Sequence, residues 1–169
     1  MKLTSSTLIA AAILLGSEAV HAVNLRFFFA NNCSGGFLEI RDAQTHQCYN
    51  AGSPAASIRP DVSNVIDHTF AYANSNCQES IQASASDGAC VRPSWTITSG
   101  KYFLKGINVR RTPEEALAES LPCAEPTAYG FVDAESGEDV VRDIPAGARN
   151  AVYEAFSKGE LESFAKSFA

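Results

Sequence analysis

The residues able to do chemistry are few, and their spacing narrows what that chemistry is. Five cysteines stand at positions 33, 48, 77, 90 and 123. In an oxidising compartment such a set reads as a disulfide framework before it reads as metal ligands or nucleophiles. An odd count leaves one thiol over. Cys123 is that residue, unpaired or joined to another molecule, because it sits between Pro122 and Pro126 with no nucleophile signature around it. Four cysteines allow three pairings. The expected pair is Cys33–Cys48 with Cys77–Cys90, since each closes a turn within one local unit. Each such loop is worth about 3 kcal/mol of chain entropy.

Other reactive side chains carry weaker signals. Asp67 adjoins His68, yet successive strand residues point to opposite faces. No Gly-x-Ser-x-Gly elbow occurs in the chain. His68 therefore reads as a strand residue and His46 as a loop residue, and neither has metal-ligand spacing. Asp133, Glu135, Glu138 and Asp139 lack the calcium-loop pattern and read as a solvated turn. No catalytic, cofactor-binding or metal-binding residue is assigned. Two processing signals stand out. Asn32-Cys33-Ser34 is a glycosylation sequon. Arg110-Arg111 is a dibasic pair of the kind that secretory proteases cut. Trp95, Tyr49 and Tyr102 are the candidate aromatic platform for a ligand.

The elements that must hold these residues begin after a leader. Lys2, the apolar run Leu8 to Leu15 and the small-x-small site Val20-His21-Ala22 read as a signal peptide over residues 1–22. The run is too short to span a bilayer. A secreted, soluble product without a transmembrane segment is expected. A net charge of −6 argues against nucleic acid as its partner.

Residues 23–108 contain an echo. "FFFANNC" ends at Cys33 and "FAYANSNC" at Cys77, and a further cysteine follows each. Two copies of a strand and a stapled turn are expected. Alternation places Val23, Leu25, Phe27 and Phe29 on one face, with Phe27 and Phe29 filling a core. Phe28 lies on the opposite face with Arg26. Ile66, Phe70 and Tyr72 share a face in the second copy, and Ile81 and Ala83 form its return. Trp95 to Leu104 reads as a hairpin turning at Ser99-Gly100.

Residues 109–169 read as an α/β extension packing on the first part. Thr112, Pro113 and Glu115 punctuate a short helix ended by Pro122. Phe131-Val132 and Val140-Val141 flank a Ser136-Gly137 turn. Val152 and Phe156 form one helical stripe; Leu161, Phe164, Ala165 and Phe168 form a second, out of phase across Gly159.

The leader, the aromatic strand, "NNCSGG", the later cysteine and the second Asn-x-Asn-Cys unit together resemble a group of small secreted cysteine-containing fungal proteins. These are similar to the βγ-crystallin and killer-toxin-like class of Greek-key sandwiches. Phe28 and Gly35 meet the spacing of that class; Tyr72 and Glu79 do not. Gly35 and Gly36 stand where its calcium signature needs hydroxyls, so the resemblance carries no calcium site. The expected fold is α+β: a disulfide-stapled antiparallel Greek-key-like β-sandwich, then a short helix, a hairpin and a C-terminal helix pair. The resemblance implies a non-enzymatic host-directed effector or antimicrobial toxin-like protein, with a protein or carbohydrate target outside the cell. A cell-wall carbohydrate-binding module is the alternative. A small hydrolase is the second alternative, since carboxylates paired only by the fold leave no spacing in a sequence.

Overall fold

The computed structural model describes residues 23–78, 83–106, 122–133 and 135–167. The leader, Ile81, Arg110, Arg111, the helix expected from Thr112 and Phe168 lie outside these residues. The described strands are β1 (Val23–Phe28), β2 (Phe37–Ala43), β3 (Tyr49–Ala55), β4 (Ser57–Pro60), β5 (Ile66–Tyr72), β6 (Ala83–Ser86), β7 (Ile97–Leu104), β8 (Ala128–Val132) and β9 (Asp139–Asp143). Helices α1 (Arg149–Ser157) and α2 (Leu161–Ser167) close the chain.

Two antiparallel sheets form. One has the order β4-β1-β2-β8-β9 and the other β3-β7-β5-β6. They share one apolar core: Leu25, Phe27, Leu38 and Ile58 from the first meet Ala51, Ile66, Ile97 and Tyr102 from the second. The third segment of each unit, a strand in the first and a single bridging residue in the second, has changed sheets. β3 follows β2 in sequence but pairs with β7. Val91, of the second unit, bridges to Ile58 on the edge of the first sheet.

That exchange overturns the expected disulfides. The bonds are Cys33–Cys90 and Cys48–Cys77. Each late cysteine immediately precedes an exchanged segment, so it is carried to the turn of the other unit and away from its own. Cys33–Cys90 spans 57 residues and Cys48–Cys77 spans 29. The chain-entropy value rises with these loops to about 4.2 and about 3.6 kcal/mol.

The turns themselves are built alike. Cys33 and Cys77 adopt φ of 53° and 51°, a left-handed conformation uncommon outside glycine. Both are held there by a buried serine of the neighbouring strand. The Cys33 N–H donates to Ser57 Oγ at 2.9 Å, and Ser57 Oγ donates to the Ala30 carbonyl. The Cys77 N–H donates to Ser99 Oγ at 3.2 Å, and Ser99 Oγ donates to the Asn74 carbonyl.

Alternation fails at two places. β1 ends at Phe28, and the Phe29 N–H already donates across the turn to the Gly36 carbonyl at 3.0 Å. Phe29 therefore leaves the core face and is 44% exposed, with its ring edge-on to Phe156. In β5 a register shift falls between Ile66 and His68. A bulge reverses the faces beyond it. Ile66, Thr69 and Ala71 point to the core, while Phe70 and Tyr72 share the outer face with His68.

Residues from the C-terminal part do more than pack on a finished sandwich. β8 hydrogen-bonds to β2, so the hairpin widens the first sheet at its edge. Val152, Ala155 and Phe156 of α1 and Leu161 and Ala165 of α2 join the common core. The corner between the helices is Gly159 at φ 72°, a left-handed position that glycine adopts without a Cβ clash.

Candidate functional site

The outer faces of the two sheets are the surfaces available for recognition, and they are made differently. On the first sheet, Phe28 and Phe37 are cross-strand partners buried to 2% and 0%. They cluster with Cys33, Cys90 and Val141. Arg59 lies 5.7 Å over the Phe28 ring and Arg26 lies 4.4 Å over that of Phe37. Phe37 can lie flat because Gly130 is its partner on β8; a Cβ there would come within 2.5 Å of the ring.

The rest of this face is an ion-pair chain. Glu39, 2% exposed, accepts from Arg26 Nε at 2.7 Å and from Arg41 Nε at 3.4 Å. Arg26 also reaches Asp139, and Arg41 reaches Asp143. Three carboxylates are thus linked through two arginines along one face. Each is engaged by an arginine, and the chain ties β1 and β2 to β9.

The second sheet presents aromatic rings. Tyr72 is paired with Ser99 and sits beneath its turn, 2% exposed, as Phe28 is paired with Ser57 beneath its own. Lys101 Nζ lies 5.8 Å over the Tyr72 ring, matching Arg59 over Phe28. Beyond Tyr72 the match ends. Where β1 has Arg26, β5 has Phe70. Phe70 stacks on His68 at 5.8 Å and 17°, and meets Phe103 edge-on at 5.2 Å. His46, from the β2–β3 loop, meets the other side of Phe103 at 4.4 Å. The result is a row, His46–Phe103–Phe70–His68, of four half-buried rings. Lys101 Nζ stands 5.6 Å from the Phe103 ring. Ser84 and Ser86 are the cross-strand partners of Phe70 and His68.

Among the residues singled out in the sequence, several change role. Tyr49 and Tyr102 are 2% and 1% exposed and form no platform. The Tyr102 hydroxyl donates to the Ala43 carbonyl and that of Tyr49 to Gln47 Oε1, which ties the β2–β3 loop to the core. Burial raises the pKa of both phenols. Trp95 is half-buried and packs against the core. Cys123 is free and partly buried, and burial pushes its thiol pKa up, away from the reactive thiolate. His68 lies 3.2 Å from Asp67 on the surface. Asp133 Oδ1 accepts from the Ser136 and Glu135 N–H groups and from Ser136 Oγ, which makes it the organiser of the β8–β9 turn. Among the described residues no cluster of metal-ligating side chains occurs. No helix among them is long and apolar enough to cross a membrane.

Sequence reasoning missed the row because the β5 bulge turns Phe70 outward. A partial signal was a serine in the fourth strand of each unit: Ser57 lies 24 residues beyond Cys33 and Ser99 22 beyond Cys77, and each accepts the N–H of its cysteine.

Both aromatic-strand-and-turn units, from β1 through β7, fall within the region that a family model covers. It is named ARB_05566_N, described as an N-terminal domain, and it matches residues 24–127. The chain belongs to this family. The match begins within β1 and ends just before β8, so the added hairpin and both helices lie outside it. No curated protein and no solved structure matches the chain.

Proposed function

We propose that the protein is a secreted, non-enzymatic recognition protein acting on another organism, an effector or toxin-like protein. Its target is a protein held on the outer face of the β3-β7-β5-β6 sheet. The exchanged third segments support the Greek-key sandwich of the βγ-crystallin-like class. The two disulfides support an oxidising compartment, because such bonds persist outside the cytosol.

One observation carries the reading: the row His46–Phe103–Phe70–His68. Aromatic residues are enriched at protein interfaces, where they supply area at low entropic cost. Their geometry favours a protein over a sugar. His68 and Phe70 turn their faces to each other, and Phe103 stands at 77° and 88° to its two neighbours. The rings on either side of Phe103 are thus steeply tilted to it, so the row is corrugated and offers no flat run of ring faces along which a sugar chain would stack. Lys101 beside the row suits an acidic or carbonyl-rich partner. The engagement of Glu39, Asp139 and Asp143 by arginines supports a structural role for these carboxylates.

The test uses the oxidised chain as bait in extracts of neighbouring or host organisms, beside sedimentation with chitin and glucan. Protein capture is expected, and both Phe70→Ala and Phe103→Ala should abolish it while Trp95→Ala retains it. Capture that survives both phenylalanine variants removes this face from the reading. Sedimentation with a polysaccharide that is lost in both variants would replace it with wall binding.

A further inference from the structure

The turn between β1 and β2 presents an amide that nothing above uses. Asn32-Cys33-Ser34 is the single Asn-x-Ser/Thr sequence of the chain. Asn32 is exposed, and Ser34 Oγ donates to Asn32 Oδ1 at 2.6 Å. Those two groups define an acceptor for N-glycosylation. The equivalent turn of the second unit reads Asn76-Cys77-Gln78 and has no hydroxyl in that position. There the contact runs from Asn76 Nδ2 to Gln78 Oε1.

A cysteine in the middle of the sequon makes timing decisive. Once Cys33 is bonded its turn is fixed, and an acceptor must be flexible to be modified. The partner of Cys33 is Cys90, 57 residues later in the chain. At about 5–20 residues per second of synthesis, Cys33 stays a thiol for roughly 3–11 s before its partner exists. The opposite holds in the second unit, where Cys48 precedes Cys77 and is already present when Cys77 emerges.

Phe29 supplies an independent observation. It lies three residues before Asn32 and is 44% exposed, the most exposed large hydrophobic side chain among the described residues. The hydrogen bond from its N–H to the Gly36 carbonyl closes the same turn. An aromatic face carries partial negative charge and attracts the C–H groups of a pyranose.

We infer that Asn32 carries an N-linked glycan, attached while Cys33 is still a thiol, and that Phe29 packs beneath its first sugar. The inference rests on the export part of the proposed function. The Asn32 Nδ2 attacks the anomeric carbon of a lipid-pyrophosphate-linked oligosaccharide. A C–N bond forms, the C–O bond to pyrophosphate breaks with its electron pair leaving on the pyrophosphate, and Nδ2 gives up one proton. Afterwards the Cys33 and Cys90 thiols lose two protons and two electrons to a luminal disulfide, which becomes a dithiol.

The full chain, expressed with its own leader in a yeast, is recovered from medium and cells and weighed before and after peptide N-glycosidase. A mass loss on treatment is expected, absent in Asn32→Gln and in Ser34→Ala, with circular dichroism showing both variants folded. A chain that begins at Val23 yet shows no mass loss overturns the glycan and leaves export standing. An uncleaved chain without mass loss overturns both. A loss that persists in Asn32→Gln overturns the site. Gln78→Ser creates a second sequon at Asn76, whose occupancy should be several-fold lower than that of Asn32; equal occupancy overturns the order of events. Enzymatic removal of the glycan should lower the melting temperature of the natural chain but not of Phe29→Ala. An equal drop in both overturns the placement of Phe29.

Discussion

The two aromatic-strand-and-turn units use one frame to make two different surfaces. In each, a cysteine at positive φ is held by a buried serine, an aromatic residue lies under the turn, and a cation lies over that ring. The divergence is one position away. Arg26 in the first unit pairs with the buried Glu39, and its face becomes a closed network. Phe70 in the second unit pairs with Ser84, and its face remains a row of rings. The first sheet is also widened by the β8–β9 hairpin, which brings Asp139 and Asp143 to the arginines. The shared frame thus closes one face with ion pairs and leaves a row of half-buried rings on the other.

The largest test of this contrast is at the staples. Replacing Cys33 and Cys90 by serine removes a bond and also opens the Phe28–Phe37 cluster on the closed face. Urea unfolding should show a loss of at least about 4 kcal/mol. The same change at Cys48 and Cys77 should cost about 3.6 kcal/mol, with the loop term alone at stake. If the second loss exceeds the first, the closed face contributes less than its burial implies.

Next is Glu39→Gln, which leaves Arg26, 12% exposed, without its buried counter-charge. A buried charge left wholly uncompensated costs about 3–5 kcal/mol; Arg26 keeps its exposed partner Asp139, so the loss should be about 2 kcal/mol. Asp143→Asn, at the exposed end of the same chain, should change stability by less than about 1 kcal/mol. Equal effects would mean that the network is a surface feature and not a seal.

On the open face the order of effects should invert. Phe103→Ala loses its two edge-on ring contacts, worth about 0.5–1.5 kcal/mol each. Binding of the captured partner should fall by more than tenfold in a titration. A variant that binds normally yet unfolds readily would make the row a structural device like that of the first sheet.

The smallest expected effect is on pH. Hydrogen bonds from Ser136 and Glu135 hold the Asp133 carboxyl below its ordinary range. A depressed carboxylate contributes above its unfolded value of about 3.9 and loses that contribution as pH falls through the folded value. Acid unfolding of Asp133→Asn should therefore lack a shallow component below about pH 4. Since Asp133 sits on the turn that brings β9 to the arginines, a larger effect would tie the closed face to that turn.

Much of the architecture was legible along the chain. The echo marked both turns, the stripe break at Gly159 marked the helix corner, and the alternation of Val23, Leu25 and Phe27 marked β1 as a core strand. These are local matters, set by φ, by period and by burial on one side. The hairpin expected over Trp95 to Leu104 is instead one strand, β7, running straight through Ser99-Gly100. Pairing was not legible. Cys33 has three downstream cysteines within the two units, Cys48, Cys77 and Cys90, and only the exchange of third segments between sheets selects Cys90. A one-residue bulge in β5 reversed the faces of Phe70 and Tyr72, and a two-residue period cannot show an irregularity that hydrogen bonding across the ladder creates.

From the sequence by itself come the five cysteines with Cys123 left over, the single sequon and the presence of aromatic strands, because each depends on residue identity and near neighbours. Only the tertiary structure decided the disulfide partners, the closure of Glu39 between two arginines and the assembly of His46, Phe103, Phe70 and His68 into one row. Those depend on which strands lie side by side, a choice made by burying one core between two sheets and not by any segment of the chain alone.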